Sequence, residues 1–175
     1  MDKWMKQWVV ILILILLVAA SLTPSCKISY SFSGANIASD VKTFSVYYFP
    51  NRAKLVNPTL SQSFTEDLRS KLQRQTSLNE VQDNGDLQFE GQITGYEVRP
   101  MSIQKGDLAA QNRLTITVKL KYTNTKHPDQ NSEQSFSAFE DYNSSSSLSD
   151  IEDSLVPEIL KKLTEDIFNA TIANW

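Results

Sequence analysis

The alternation of hydrophobic and polar positions is most regular between residues 113 and 126. The apolar positions of this segment are Leu114, Ile116, Val118, Leu120 and Tyr122. The polar positions between them are Arg113, Thr115, Thr117, Lys119, Lys121 and Thr123. Because successive side chains of a β-strand point to opposite faces, this pattern predicts a strand with one buried face and one hydrated face.

Three other segments predict strands. Residues 41–49 are β-branched and aromatic, and their apolar positions alternate on one side as far as Tyr48. Residues 87–98 alternate until Gly95 shifts the apolar parity, which predicts a bulged or bent strand. Residues 133–142 predict the last strand.

A first amphipathic helix is predicted after the first strand. Its apolar stripe has spacing four and consists of Leu60, Phe64, Leu68 and Leu72. Asn57-Pro58 fits an N-cap followed by proline at the first helical position, and the helix is expected to end near Thr76. The opposite side carries charges that we interpret as a solvated face: Glu66, Asp67, Arg69, Lys71 and Arg74.

A second amphipathic helix is predicted at the C-terminal end. Its buried stripe is expected to be Ile159, Leu163, Ile167 and Ala170. Ser149-Asp150-Ile151-Glu152 has the form of a capping box, in which Ser149 and Glu152 bond to the first backbone N–H groups. Pro157 predicts a kink, or a helix that starts further downstream.

The order of these elements is strand, helix, three strands, helix. Since the strands have hydrated faces and the helices have apolar stripes, we predict an α+β fold with a single mixed β-sheet of about four strands and two α-helices packed on one face.

The N-terminus has the form of a secretory signal. Lys3 and Lys6 precede an apolar run over residues 9–20, which is shorter than the roughly 20 residues that a membrane-spanning helix needs. A small residue, Ser25, precedes the only cysteine, Cys26, and this junction resembles the lipobox of bacterial lipoproteins. The bulky aliphatic residue, Leu22, lies four positions before the cysteine, whereas the usual spacing is three.

We therefore predict a cleaved signal peptide over residues 1–25, a lipidated tether over 26–40 that begins at Cys26, and one domain over 41–175. The alternative is an ordinary free thiol just past a plain signal, which would be a liability in an oxidising compartment.

Composition and motifs exclude several classes of function. The net charge is −3, and removal of Asp2, Lys3 and Lys6 would leave −4, which argues against a nucleic-acid binder. The only histidine, His127, lies in a polar turn without a nucleophile or carboxylate at a suggestive spacing. The segment 83–86 is a turn signal with too few carboxylates for a calcium loop. We expect no cofactor, no metal and no catalytic residues, although carboxylates that meet only in space would leave a periplasmic hydrolase open.

Several stretches resemble the LptE family of lipopolysaccharide-assembly lipoproteins. They are Tyr-Ser-Phe-Ser-Gly-Ala at 30–35, Lys-Thr-Phe-Ser-Val-Tyr-Tyr-Phe-Pro-Asn at 42–51, Leu-Val-Asn-Pro-Thr-Leu-Ser-Gln at 55–62, Asn-Gly-Asp-Leu-Gln-Phe-Glu-Gly-Gln-Ile-Thr-Gly-Tyr at 84–96 and Asn-Arg-Leu-Thr-Ile-Thr-Val at 112–118. The likeness runs from residue 26 to residue 175.

The resemblance implies a non-catalytic helix-on-sheet domain that plugs the LptD outer-membrane β-barrel and assists its assembly. It also implies contact with lipopolysaccharide through basic residues. Lys27, which follows the cysteine, is not the aspartate that by resemblance retains lipoproteins at the inner membrane, and this favours the outer membrane. No acidic cluster resembling a surface-export signal follows either, and this favours the periplasm-facing leaflet. A generic lipoprotein adaptor of another secretion or efflux machine is the alternative.

Arg113, Lys119 and Lys121 are the candidate ligand-binding residues. They point the same way on the most regular strand, so they form a cationic stripe suited to phosphate and carboxylate groups. The alternative is that these cations face solvent and only keep the protein soluble.

Overall fold

The computed structural model describes Trp4 and residues 37–55, 57–101 and 110–173. The backbone divides into two units, Met1–Phe32 and Ser33–Trp175. In the first unit only Trp4 is described, as a helical and exposed residue. The predicted signal peptide cleavage site, Cys26 and Lys27 lie outside the described residues.

Five strands of the described ranges form one mixed sheet. They are β1 (Thr43–Val46), β2 (Asn79–Glu80), β3 (Leu87–Pro100), β4 (Gln111–Asn124) and β5 (Ser132–Asn143). Their order in the sheet is β2-β1-β3-β4-β5. β1 is parallel to both of its neighbours, while β3, β4 and β5 are antiparallel. The predicted α+β class is confirmed, and the additional strand is the two-residue β2, which is too short to show an alternation.

Two helices, α1 (Leu60–Gln75) and α2 (Leu148–Phe168), cover one face of the sheet. A 3-10 turn at Pro128–Gln130 joins β4 to β5, and a π-helical turn at Asn169–Ala173 follows α2. Neither helix is long and apolar enough to cross a membrane, and this holds for every helix in the described part of the chain.

The core lies between the helices and the sheet. All four residues of the predicted α1 stripe have 0% exposed surface, and so do the inward side chains of β4 from Leu114 to Leu120. Phe49 packs edge-on against Phe64 with ring centroids 5.0 Å apart. These contacts confirm both periodicities, because the apolar positions of the helix and of the strand meet in a single core.

Two features of α1 differ in detail from the expectation. The helix begins at Leu60 rather than at Pro58, yet Asn57 is the capping side chain, because its Oδ1 accepts hydrogen bonds from the N–H groups of Thr59 and Leu60 at 3.0 and 3.1 Å. Lys71 is not on a solvated face: it is buried, and its Nζ lies 2.5 Å from Glu165 of α2.

The predicted capping box of α2 was wrong, although the helix begins at Leu148, one residue before Ser149. The helix runs without interruption through Pro157, and its N-cap is Ser147, which makes no side-chain capping bond. Glu152 does not reach back to Ser149. Instead, its Oε1 accepts hydrogen bonds from Asn57 Nδ2 at 2.8 Å and from the hydroxyl of Tyr96. This part-buried contact ties the capping residue of α1 and the N-terminal part of α2 to the sheet.

The first strand is shorter than expected. It ends at Val46, and the following segment is irregular, so Tyr48 is 61% exposed rather than in line with Phe44. In β3 the predicted bulge is confirmed, because the register with β4 shifts between Ile93 and Gly95. That shift brings Tyr96 onto the core side, where it is buried.

Candidate functional site

The sheet face opposite the helices carries the predicted ligand-binding residues. We call it the open face and define it by the outward side chains of three strands. They are Glu90, Gln92, Glu97 and Arg99 of β3, Arg113, Thr115, Thr117, Lys119 and Lys121 of β4, and Glu133, Ser135, Ser137, Phe139 and Asp141 of β5. Arg113, Lys119 and Lys121 thus lie in one row on the central strand of this face.

Arg113 forms the most specific contact of the open face. Its guanidinium donates two hydrogen bonds to the Asp141 carboxylate, at 2.7 and 2.8 Å, and lies 3.5 Å from the ring centroid of Phe139. A bidentate, stacked guanidinium is held in a fixed plane. This bond raises the pKa of Arg113 and lowers the pKa of Asp141, so both groups are charged at neutral pH.

The two lysines of the row are also paired. Lys119 Nζ lies 2.6 Å from Glu133 Oε1, and Lys121 Nζ lies 3.3 Å from Glu90 Oε2. The hydrogen bond from Lys119 holds the pKa of Glu133 below its usual value. All four side chains are about half exposed, so these are hydrated ion pairs of modest strength.

The open face is therefore charge-balanced rather than cationic. Four cations are matched by four carboxylates, and the fourth cation, Arg99, lies 2.7 Å from Glu97. The sequence pattern did not reveal this charge balance, because the carboxylate partners of the β4 cations lie on neighbouring strands and their identity depends on the strand register. The register between β4 and β5 places Asp141 opposite Arg113 and Glu133 opposite Lys121, and from there Glu133 pairs diagonally with Lys119.

Two shallow clefts flank the row. One, of about 440 Å³, is lined by Glu97, Arg99, Met101, Arg113, Thr115 and Thr117. The other, of about 240 Å³, is lined by Glu90, Gly91, Gln92, Lys119, Lys121 and Glu133. Each cleft contains cations, carboxylates and hydrogen-bonding groups, so the face can take polar, anionic groups that exchange with the internal carboxylates. The binding role of Arg113, Lys119 and Lys121 stays a prediction.

His127 lies outside this row, in the turn between β4 and β5. Its Nε2 is 3.1 Å from Asp40 Oδ1, a carboxylate 87 residues earlier in the chain. That hydrogen bond lowers the pKa of Asp40. The described contacts of His127 include no hydroxyl or thiol nucleophile, so the pair fastens the start of the domain to a turn.

The stretch 84–86 has a structural role beside β1. Asn84 has a φ of 56°, and a Cβ on Gly85 would lie 2.6 Å from the backbone of Phe44. Asp86 Oδ2 then accepts hydrogen bonds from the N–H groups of Lys42 and Thr43, at 2.8 and 3.0 Å. The turn predicted here thus holds the start of β1 against the start of β3 through these hydrogen bonds.

The chain is similar to several solved structures, three of which follow. A hypothetical protein, CT253, from Chlamydia trachomatis aligns with a TM-score of 0.51 and 10% identity, over 77% of this chain and 99% of that one. A minor lipoprotein from Acinetobacter baumannii has a TM-score of 0.48 and 16% identity, over 73% and 89%. An uncharacterised lipoprotein B from Nitrosomonas europaea has a TM-score of 0.46 and 12% identity, over 76% and 81%. At 10% identity the likeness to CT253 concerns the fold alone.

The sequence comparisons are more specific. No curated protein matches the chain. The model of the lipopolysaccharide-assembly family LptE matches residues 41–171, which include every strand and both helices of the described sheet domain. On that match, the chain belongs to the LptE family of lipopolysaccharide-assembly proteins.

Proposed function

We propose that this protein is an outer-membrane lipoprotein that plugs an LptD-type β-barrel and helps to assemble it as the translocon that delivers lipopolysaccharide to the cell surface. The observation that carries the proposal is the family match over residues 41–171. We further propose that the protein has no catalytic turnover, in keeping with an assembly family.

The open face supports a role inside a polar enclosure. Its ion pairs and hydroxyls, such as the 2.8 Å contact between Thr117 and Ser137, present hydrogen-bonding groups without a net charge. The lumen of an outer-membrane barrel is polar, in contrast to its lipid-facing surface. A charge-balanced polar sheet therefore suits such a lumen.

The N-terminal anchor is the second part of the proposal. Residues 1–25 are removed as a signal peptide, Cys26 carries the lipid, and residues 26–40 tether the domain 41–175 to the periplasm-facing leaflet. Mass spectrometry of the N-terminal peptide tests this assignment, with an acylated peptide beginning at Cys26 as the expected result. An unmodified thiol at Cys26 would refute it.

The main experiment is purification of the tagged protein from detergent-solubilised outer membranes. We expect a large β-barrel protein to co-purify, and depletion of this protein should leave that barrel immature and lower surface lipopolysaccharide. A stable partner from a different envelope machine would favour the generic adaptor. Normal barrel maturation and normal lipopolysaccharide display after full depletion would refute the plug.

The third part of the proposal concerns the ligand. We propose that Arg113, Lys119 and Lys121 bind anionic groups of lipopolysaccharide by exchanging their carboxylate partners for them. The ion pairs at Lys119 and Lys121 are exposed and weak, so breaking them for such an exchange requires little free energy.

The test of this part uses neutral variants, because a charge reversal would place new carboxylates beside Glu133 and Glu90. Lys119→Gln/Lys121→Gln should weaken lipopolysaccharide binding, and the remaining binding should fall further with added salt. The matched control is Lys42→Gln/Lys161→Gln, which removes the same charge from two exposed lysines away from the open face. Equal binding by both variants would leave only a role in solubility.

A further inference from the structure

The two edges of the sheet differ in length and regularity. At one edge lies β2, with two residues. At the other lies β5, with 12 residues, which pairs with β4 over 12 consecutive positions without a register shift. A long, regular edge strand offers a row of backbone donors and acceptors to another strand.

The hydrogen-bond pattern shows which groups of β5 point outward. Thr125 N donates to Asp86 O, so the odd-numbered residues of β4 bond to β3. The even-numbered residues of β4 therefore bond to β5, in agreement with the bond from Ser144 N to Ala110 O. It follows that the odd-numbered residues of β5 turn their N–H and C=O groups away from the sheet. These residues are Glu133, Ser135, Ser137, Phe139 and Asp141, together with Asn143 at the end of the strand, whose carbonyl accepts a hydrogen bond from Ser146 N.

From Glu133 to Asp141, only one of these outward groups has a partner among the described residues. The Phe139 carbonyl accepts a hydrogen bond from Lys162 Nζ at 3.3 Å, and the same ammonium pairs with Glu140 at 2.5 Å. β5 contains no proline and no bulge, two features that commonly protect an edge. The edge is thus open along most of its length.

Side chains beside the edge resemble those of protein interfaces. Phe139 is 42% exposed, one of the few large hydrophobic side chains that the described domain leaves exposed, and it is stacked by Arg113. Aromatic and arginine side chains are enriched at interfaces. Phe139 lies on the edge strand itself, so a partner strand would cover it.

The charge of the edge selects the kind of partner. β5 carries three carboxylates, Glu133, Glu140 and Asp141, and no cation of its own, and each carboxylate is paired with a single cation from β4 or α2. Pairing with β5 of a second copy would bring the same three carboxylates together, and like charges across a strand pair are unfavourable. A strand that carries lysine or arginine would be favoured instead.

We propose that the outward edge of β5 binds an extended, basic segment of the barrel partner as a sixth strand of the sheet. This inference rests on the proposed function, since the partner is the barrel that co-purifies with the protein. Main-chain hydrogen bonds from the five odd-numbered residues between Glu133 and Asp141 would supply the attachment, and Phe139 and the carboxylates would supply the specificity.

Hydrogen exchange of the wild-type protein tests the proposal directly. In the free protein the amides of Ser135, Ser137 and Phe139 should exchange fast, and those of Gln134 and Phe136 slowly. In the purified complex with the barrel, the three odd-numbered amides should slow by about tenfold or more while the even-numbered ones change little. Odd-numbered amides that exchange equally fast in both states would overturn the inference.

A proline variant supplies the second test. Ser137→Pro removes an outward N–H and the hydroxyl contact with Thr117 but none of the main-chain bonds between β5 and β4, and barrel recovery should fall about tenfold relative to wild type. Ser137→Ala is the matched control, because it loses the hydroxyl contact with Thr117 but keeps the N–H, and it should retain the barrel. Equal recovery with both variants would refute strand addition.

The two proposals fail in distinguishable ways. If no barrel co-purifies with the wild-type protein, the proposed function is wrong and the inference falls with it. If the barrel co-purifies but the odd-numbered amides stay unprotected, the barrel contact stands and the sixth strand is refuted. Because the exchange experiment uses the wild-type chain, it decides the matter even if Ser137→Pro fails to fold.

Discussion

Removal of the Asp86 carboxylate should destabilise the region where the starts of β1 and β3 meet the end of β4. Its Oδ2 accepts hydrogen bonds from Lys42 N, Thr43 N and the Thr43 hydroxyl, and its Oδ1 lies 3.3 Å from Lys126 Nζ. The side chain is only 17% exposed, so water replaces these bonds poorly. A hydrogen bond to a charged group contributes about 1.5–3 kcal/mol, and the Lys42 amide is the more exposed donor. We expect Asp86→Ala to lower the free energy of unfolding by about 2–4 kcal/mol.

The pH dependence gives this prediction a second signature. The hydrogen bonds to Asp86, chiefly the one from the backbone N–H of Lys42, lower its pKa. A carboxyl with a lowered folded-state pKa stabilises the protein above its unfolded pKa of about 3.9, and this stabilisation is lost as the pH falls through the folded value. The difference in unfolding free energy between wild type and Asp86→Asn should therefore shrink as the pH falls from 7 to about 3.

The assay is urea denaturation of the purified protein, followed by circular dichroism at several pH values. Asp83→Asn is the matched control, since it removes the same charge three residues earlier from an exposed side chain that has no partner among the described residues. It should change the unfolding free energy by less than about 0.5 kcal/mol. Two results would refute the stabilising role of the Asp86 carboxylate. One is an Asp86→Ala variant as stable as that control, and the other is an Asp86→Asn difference that is independent of pH.

Three further substitutions test the packing of the domain by thermal and urea denaturation. Gly85→Ala should cost about 3 kcal/mol, because the added Cβ would lie 2.6 Å from the backbone of Phe44. Tyr96→Phe should cost about 1–2 kcal/mol, since it removes the buried hydroxyl that donates to Glu152. Leu68→Ala should cost about 2–5 kcal/mol, because Leu68 has 0% exposed surface between α1 and the sheet. Matched controls for the last two are Tyr48→Phe and Leu55→Ala, at side chains that are 61% and 52% exposed. A Gly85→Ala protein of wild-type stability, or a buried variant no less stable than its control, would contradict these packing arguments.

The sequence alone determined the elements whose signal is periodic. The spacing of Leu60, Phe64, Leu68 and Leu72 placed α1, and the alternation from Leu114 to Tyr122 placed β4, because one-sided burial imposes the period of the element on the sequence. The bulge in β3 was predicted in the same way. The apolar positions change from odd to even residue numbers at Gly95, and this change is visible without knowledge of the neighbouring strand. The α+β class followed from the order of these elements.

Only the tertiary structure decided the features that depend on partners distant in the chain. The two residues of β2 form a strand because they pair with β1. Glu152 accepts hydrogen bonds from Tyr96 and Asn57 instead of capping its own helix. The row that contains Arg113 reads as a cationic stripe in the sequence, yet the register between strands supplies each cation with a carboxylate. Periodicity reports which face a side chain takes, whereas its neighbour across the sheet is set by strand order and register. Local sequence does not encode either of these, and they decide both the charge of the open face and which edge of the sheet is left free.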